Sequence, residues 1–439
     1  MSVIDATTET ETRVIEASTC LGCGCLCDDI RVEVAGGRVV EAARACPIGR
    51  AWFLADRPGA GHPAATVDGG AVGFVLAVGR AAEILGRAKA PVVWGLAGST
   101  IEGQRAAVAV ADAIGAVVDV AGPGGRGDGL RAFQRAGRVS GTLGEVRDRA
   151  DLVVFWGVDP VATHPRHLDR YSVGPRGRFV PEGRAGRSVV VIDHRGTATA
   201  AVADHHVPIG PDRRGEALWV LRALVRGVTL DPARAEAATG VSFPSLEDLA
   251  GRLARARYGA FFFDEGQGGP WAAEGALTLV RDLNAPGRRF VALSLGAGGN
   301  AAGAESVLAW QAGAPAAVDF GSGTPRHRPG DATLADRMAQ GAVDAVLIVA
   351  DDPAATLPPD ALARLASIPC IRVAPGATAP TARPAVVAFD VARPGIETGG
   401  TVARVDGVML PLRRSIAVDL PTDREVLESI GGQLRNGFR

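Results

Sequence analysis

CLGCGCLCDDI, residues Cys20–Ile30, places four of the chain's six cysteines within eight positions. A spacing of C-x2-C-x-C-x-C is too tight for structural disulfides among neighbours, whereas a glycine-bearing loop can aim several sulfurs at one point. Cys20, Cys23 and Cys27 read as C-x2-C-x3-C, and a fourth sulfur arrives with Cys46 in RACPIGRAWF. Between them IRVEVAGGRVVEAA alternates about Gly36-Gly37, the pattern of a β-hairpin that returns Cys46 to the loop. Four converging thiolates are what a [4Fe–4S] cluster requires. Structural zinc uses the same C-x2-C unit, and an empty, inherited site is the third reading. Cys25 is expected to point away from the ligands, and Cys370 in SIPCIRVAP to be a small buried apolar residue.

Downstream of residue 60 the pattern changes. APVVWGLAG, DLVVFWGVDP, SVVVIDHRG, YGAFFFDEG, RRFVALSLG, DAVLIVADDP and CIRVAPG are short continuous apolar runs separated by alanine-rich helical stretches. Such runs read as buried parallel strands in βαβ units, hence doubly wound sheets. WGLAGS, WGVDP, IDHRG and ADDP each end a strand in a turn, where sheets of this kind bind ligands. None is a G-x-G-x-x-G, and GPGGRGDG (122–129) lacks the G-K-[ST] of a phosphate loop.

With 439 residues the chain exceeds one ordinary core, so two or three domains are expected. Apolar residues at 47%, charges at 22% and a net charge of -1 fit a globular protein and leave no basic excess for nucleic acid. Lys89 is the only lysine among 47 basic residues, a usage that reads as base composition rather than function. The first residues lack a secretory pattern, and no run approaches the ~18 apolar residues of a membrane span. The expected compartment is the cytoplasm, where clustered cysteines are thiols or metal ligands. His164 and His167 in THPRH, and His205-His206 in ADHHVPI, have no H-E-x-x-H pattern and read as turn and interface residues.

Four long segments, in order, carry a resemblance over roughly residues 15 to 420: CLGCGCLCDDI, TLGEVRDRADLVVFWGVDPVATHPRHLDRYS, GGNAAGAESVLAWQAGAPAAVDFGSGTPRHRPGD and GIETGGTVARVDGVMLPLRR. They resemble the B subunit of formylmethanofuran dehydrogenase and of its methylotroph relative, the formyltransferase/hydrolase complex. The resemblance implies an α/β, molybdopterin-oxidoreductase-like fold: a small N-terminal cysteine-rich β domain plus two doubly wound α/β domains around two pyranopterin guanine dinucleotides. The expected division is 1–55 with 396–439 for the cysteine-rich domain, 56–120 with 256–395 for the first α/β domain, and 121–255 for the inserted second. Cys20, Cys23, Cys27 and Cys46 match the family's cluster ligands. Trp156, Gly157, Asp159, Asp193, Arg195 and Asp212 match turns that hold the pterin dinucleotides.

Departures from the family pattern carry as much information. Where the dehydrogenases present a cysteine or selenocysteine to molybdenum or tungsten, this chain reads AGPGGRGDG, with Gly125 and then Arg126 at the ligand position. Glycine has no side chain and guanidinium no lone pair to give. No Cys, Ser or His stands between Val120 and Leu130, and Asp128 is the one side chain there able to ligate. Asp159 replaces the usual asparagine, which would set a carboxylate near phosphates it should repel. The resemblance thus implies a non-redox structural subunit of a complex converting formyl-tetrahydromethanopterin to formate, with A, C and D subunits as partners, a [4Fe–4S] cluster and no molybdenum or tungsten pterin. The alternative is an active dehydrogenase subunit with a metal pterin. A third is a cluster-bearing electron-transfer subunit with an empty pterin cavity.

Overall fold

The computed structural model describes residues 12–57, 61–122, 126–266, 268–296, 298–328, 330–380 and 382–437. It opens with a three-stranded antiparallel sheet of β1 (Arg13–Ser18), β2 (Ile30–Ala35) and β3 (Arg38–Ala43). The hairpin expected at Gly36-Gly37 is present, both glycines at positive φ (56° and 71°) as a tight two-residue turn demands. β1 is additional: it lies in the polar leader, largely exposed, and only pairing with β2 makes it a strand.

The larger sheet begins with β4 (Ala65–Val67), β5 (Gly70–Ala71), β6 (Pro91–Gly95) and β7 (Val117–Val120). The chain then leaves it to build a complete second sheet from β8 (Leu152–Trp156), β9 (Ser188–Ile192), β10 (His205–Val207), β11 (Tyr258–Phe263) and β12 (Arg289–Ser294). It returns with β13 (Val318–Asp319), β14 (Arg326–His327), β15 (Ala345–Val349), β16 (Cys370–Ala374) and β17 (Val387–Asp390), and ends in the hairpin β18 (Gly400–Ala403) and β19 (Met409–Leu412). Every apolar run read as a parallel strand is one.

The second sheet has the order β10-β9-β8-β11-β12, all parallel. β11 and β12, expected in the first α/β domain, therefore belong to the inserted one, and the division at 255/256 moves to the far side of β12. The reason is that apolar parallel strands look alike in sequence; which neighbour each takes is fixed by the crossover. The nine-stranded sheet, β14-β13-β7-β6-β15-β16-β17-β4-β5, keeps a parallel centre with short antiparallel strands at both edges. Each sheet buries its strands under helices on both faces, as Val154 and Phe261 on one face of the smaller sheet and Val153 and Phe262 on the other show by joining different apolar clusters.

The C-terminal segment is split between two tasks. β18 and β19 lay Val402, Leu410 and Leu412 against Leu21 and Leu26 of the cysteine loop and close it. Helix Asp423–Gly437, expected in the cysteine-rich domain, instead buries Val426, Leu427, Ile430 and Leu434 against helices Phe74–Arg87 and Ile101–Ile114 of the larger sheet. Among the described residues no helix is long and apolar enough to cross a membrane.

Candidate functional site

The cysteine loop folds on its own backbone, with the Cys20 N–H donating to Cys27 O (3.0 Å) and the Leu26 N–H to Cys23 O (3.2 Å). Two thiols accept from amides: Gly22 N–H to Cys20 Sγ at 3.3 Å, and Gly49 N–H to Cys46 Sγ at 3.4 Å, where Cys46 caps helix Pro47–Leu54. Cys20 and Cys46 meet across Gly49, since a methyl added there would lie 3.0 Å from one sulfur and 3.8 Å from the other. Cys20 is near enough to Cys23, Cys27 and Cys46 to feel their charge, and all six cysteines are free thiols. Burial pushes the Cys20 thiol up to about 12 and Cys27 to about 11.

Cys25 does not point away. It is buried, and its thiol lies close enough to that of Cys23 to draw Cys23 down to about 7. A one-residue gap in so tight a loop leaves it no other buried direction. Among the described residues no three His, Cys, Asp or Glu side chains close on a point as for a single ion. The four thiols fit a cluster in their chemistry: none is in a disulfide, Cys20, Cys23 and Cys27 are sheltered by apolar neighbours, and Cys20 and Cys46 already accept the amide hydrogen bonds that a thiolate ligand uses. Cys370 lies in β16, buried, as expected.

The THPRHLDRYS segment clamps this loop to the smaller sheet. Arg166 holds Asp29 with two hydrogen bonds (2.6 and 2.7 Å), and Arg170 pairs with both Asp28 and Asp29. The Tyr171 ring lies under Arg404, 5.3 Å from the guanidinium carbon. His167 is wholly buried against Phe155 and Phe262, with Ser172 Oγ 2.9 Å from its Nδ1 and burial driving it down to about 3. It is a core residue. His206 bonds the Asp193 carbonyl at 2.8 Å, so neither histidine pair gathers as metal ligands.

Between loop and sheet lies a cavity of about 550 Å3, within the range of small-molecule sites. It sits at the carboxyl ends of β8, β9, β11 and β12, over the switch point between β8 and β11 where the strand order reverses. Gly157, Asp159, Asp193 and Arg195, all expected there, line it. Trp156 does not: it is buried and stacked on Phe261 at 5.7 Å. Asp212 is exposed and outside the lining, its place taken by Pro211 and Arg214.

Backbone forms much of the wall. Gly157, at φ +67°, lies on the Arg214 guanidinium, where a methyl would approach Nη1 to 2.4 Å; one at Gly296 would meet Asp264 at 2.2 Å. Arg214 is held by Asp193 at 3.2 Å, and Asp193 also takes His194 at 3.0 Å. Asp159 is not aimed at a ligand with both oxygens, because Oδ1 accepts from the Thr199 N–H (3.0 Å) and hydroxyl. Arg214, His164 and Asp264 were missed as lining residues; only their positions just after a strand or turn could have flagged them. The lining sets glycine backbone, Arg195, Arg214, His164 and His194 beside three carboxylates, Asp159, Asp193 and Asp264, a polar wall of mixed charge. Cys23 and Gly22 complete the lining, so cysteine loop and cavity adjoin. Gly125, where the resemblance places the metal-ligand position, lies outside the described residues.

At the corresponding edge of the larger sheet, described loop residues bond to one another. At its switch point, between β6 and β15, the Leu96 N–H bonds Val349 O (2.8 Å) and the Ala97 N–H bonds Asp351 Oδ2 (2.8 Å). A methyl at Gly98 would come within 2.1 Å of the Ala350 carbonyl. Asn300, fully buried, ties these loops together: its backbone N–H donates to Ala97 O, its side-chain amide to Ser99 O, and its Oδ1 accepts the Ala403 N–H.

No family model matches the chain. The B subunit of tungsten-containing formylmethanofuran dehydrogenase 2 from Methanocaldococcus jannaschii is 33% identical over 430 residues, 95% of this chain and 97% of that protein. The B subunit of the formyltransferase/hydrolase complex Fhc from Methylorubrum extorquens is 32% identical over 294 residues, 66% of this chain and 75% of that protein. Among solved structures, the Methylorubrum extorquens formyltransferase/hydrolase complex FhcABCD, in complex with methylofuran, superposes with TM-score 0.68 and 29% identity, covering 85% of this chain and 99% of that one. Acetylene hydratase from Pelobacter acetylenicus matches with TM-score 0.61 over 96% of this chain and 69% of its own, at 11% identity, a likeness of fold alone.

Proposed function

The chain belongs to the family of formylmethanofuran dehydrogenase B subunits, on a molybdopterin-oxidoreductase-like fold, and from that premise we propose that it is a non-redox structural subunit of a formyltransferase/hydrolase complex. The observation that carries this reading is the segment between Val120 and Leu130, which offers a molybdenum or tungsten atom no thiolate, hydroxyl or imidazole. Its partners are the A, C and D subunits. The complex takes formyl-tetrahydromethanopterin to formate in the cytoplasm as a step of one-carbon metabolism. In this division the hydrolytic and transfer chemistry resides in the A and D subunits, and this chain holds the partners in register.

Cys20, Cys23, Cys27 and Cys46 would hold a [4Fe–4S] cluster, which when bound supplies one-electron transfer. What the chain's own residues do is structural: Asp28 and Asp29, gripped by Arg166 and Arg170, fasten the loop to the smaller sheet. A site of four thiols in so small a sheet contributes folding energy when metal is bound.

One observation favours the redox alternative, a working dehydrogenase: the cavity beside Cys23 is open. The two readings separate in one experiment on the purified complex. Formate release from the formyl carrier without any electron acceptor is expected, and viologen-coupled formate oxidation is not. Gly125→Cys alone should leave that second activity absent. Viologen-coupled oxidation in the unaltered complex would establish the dehydrogenase.

A further inference from the structure

A second cleft, of about 310 Å3, opens at the opposite edge of the larger sheet, where β6 and β7 begin at Pro91 and Val117. Its walls carry four cations, Lys89, Arg326, Arg328 and Arg337, against one lining carboxylate, Asp319. In a chain of net charge -1 this surplus is local.

Asp319 is already fully engaged. Its Oδ2 accepts from Arg337 at 2.8 Å and Arg328 at 3.3 Å, while Oδ1 accepts the Gly321 N–H at 2.8 Å. Behind the wall, Asp331 pairs with Arg328, and Asp344 takes the backbone N–H groups of Lys89 and Ala90 at 2.7 and 2.9 Å. Among the described residues these commitments leave the Lys89 ammonium and the Arg326 guanidinium without a carboxylate. Arg337 Nε is in addition buried without a hydrogen-bond partner.

One carboxylate thus fixes two guanidinium forks as a rigid wall, while two flexible cations stand at the rim. Guanidinium forks match the geometry of carboxylate and phosphate oxygens, and a mobile ammonium adds a point charge. The geometry points to a small-anion site: the cleft binds a compact oxyanion bearing at least two negative charges, a phosphate ester or a di- or tricarboxylate. The site is far from the glycine-lined cavity and independent of the reading given above, since it uses neither the cysteines nor the strand-end turns.

The single lysine supplies the test. Reductive methylation of the intact complex, read by mass spectrometry on the Lys89 peptide, reports one amine of this chain besides its N-terminus. Pyrophosphate and citrate are the probes, with chloride at equal ionic strength as reference. At about ten times its dissociation constant a bound anion slows Lys89 methylation about tenfold. Arg326→Ser, an exposed change that breaks no ion pair, should weaken that protection, and Arg337→Lys is the second variant, keeping charge but not the fork. Protection by pyrophosphate alone identifies phosphate as the group, and by citrate alone carboxylate; protection by both supports the general oxyanion site. Equal reactivity in all three salts overturns the proposal. So does a Lys89 already blocked before any probe is added, which would mean that a neighbouring subunit covers the cleft.

Discussion

The carboxyl edges of the two parallel sheets began from the same rule and ended differently. In both, the order of the parallel strands reverses, between β8 and β11 in the smaller sheet and between β6 and β15 in the larger, which is where such sheets can admit a ligand. The smaller sheet leaves about 550 Å3 there, walled by glycine backbone and adjoining Cys23. The larger spends its polar groups on itself, through Asp351, Asn300 and the Gly98–Ala350 approach. The topology therefore creates an opportunity for a ligand, and the side chains of the following loops decide whether it is kept.

Glycines on the two edges give the sharpest way to break this contrast. Gly98→Ala, which drives a methyl to 2.1 Å from the backbone oxygen of Ala350, is expected to cost about 3 kcal/mol or more by urea denaturation. A neutral result would mean that the larger sheet's edge opens easily and the two edges are alike. Asn300→Ala comes next. It removes the partners of Ser99 O and Ala403 N–H in a fully buried place, for an expected loss of about 2–4 kcal/mol in the same assay.

His167, beneath the open edge, gives an effect of intermediate size with a definite pH sign. Burial holds it at about 3, whereas the unfolded chain returns it to about 6.5. Below pH 6.5 the unfolded state therefore binds a proton that the folded state refuses, and stability is lost as pH falls toward 3. The loss due to this group should reach about 2 kcal/mol by pH 5. Urea midpoints between pH 7 and 5 should slope less in His167→Phe than in the unaltered chain; identical slopes would show that His167 is protonated where it stands. Smallest of all, Gly298→Ala adds a methyl with nothing within 4 Å on the open side and should stay within about 0.5 kcal/mol of the parent. A large cost there would mean that the cavity is narrower than its walls indicate.

Much of this was legible in the sequence, and unevenly so. The cysteine loop, its hairpin and the strands β6, β8, β9, β11, β12, β15 and β16 announce themselves because continuous apolar runs and a Gly-Gly turn have few alternative uses. Gly157, Asp159, Asp193 and Arg195 could be sought at the cavity wall because strand ends are where such sheets meet ligands. Other features depend on tertiary contact. Nothing local says that β11 pairs with β8 rather than with β6, that Cys25 turns its thiol to Cys23, or that Asn300 reaches Ala403 across a hundred residues. Lys89 read as an accident of composition until the fold set it beside three arginines.

The central claim is that this scaffold keeps its thiol site and open crevice while lacking the redox metal. Iron, acid-labile sulfide, molybdenum, tungsten and zinc should be measured on the anaerobically purified complex. The account predicts about four iron and four sulfide for each copy of this chain, as a [4Fe–4S] centre requires, with neither molybdenum nor tungsten. Stoichiometric molybdenum or tungsten would contradict it and make this chain part of a working dehydrogenase.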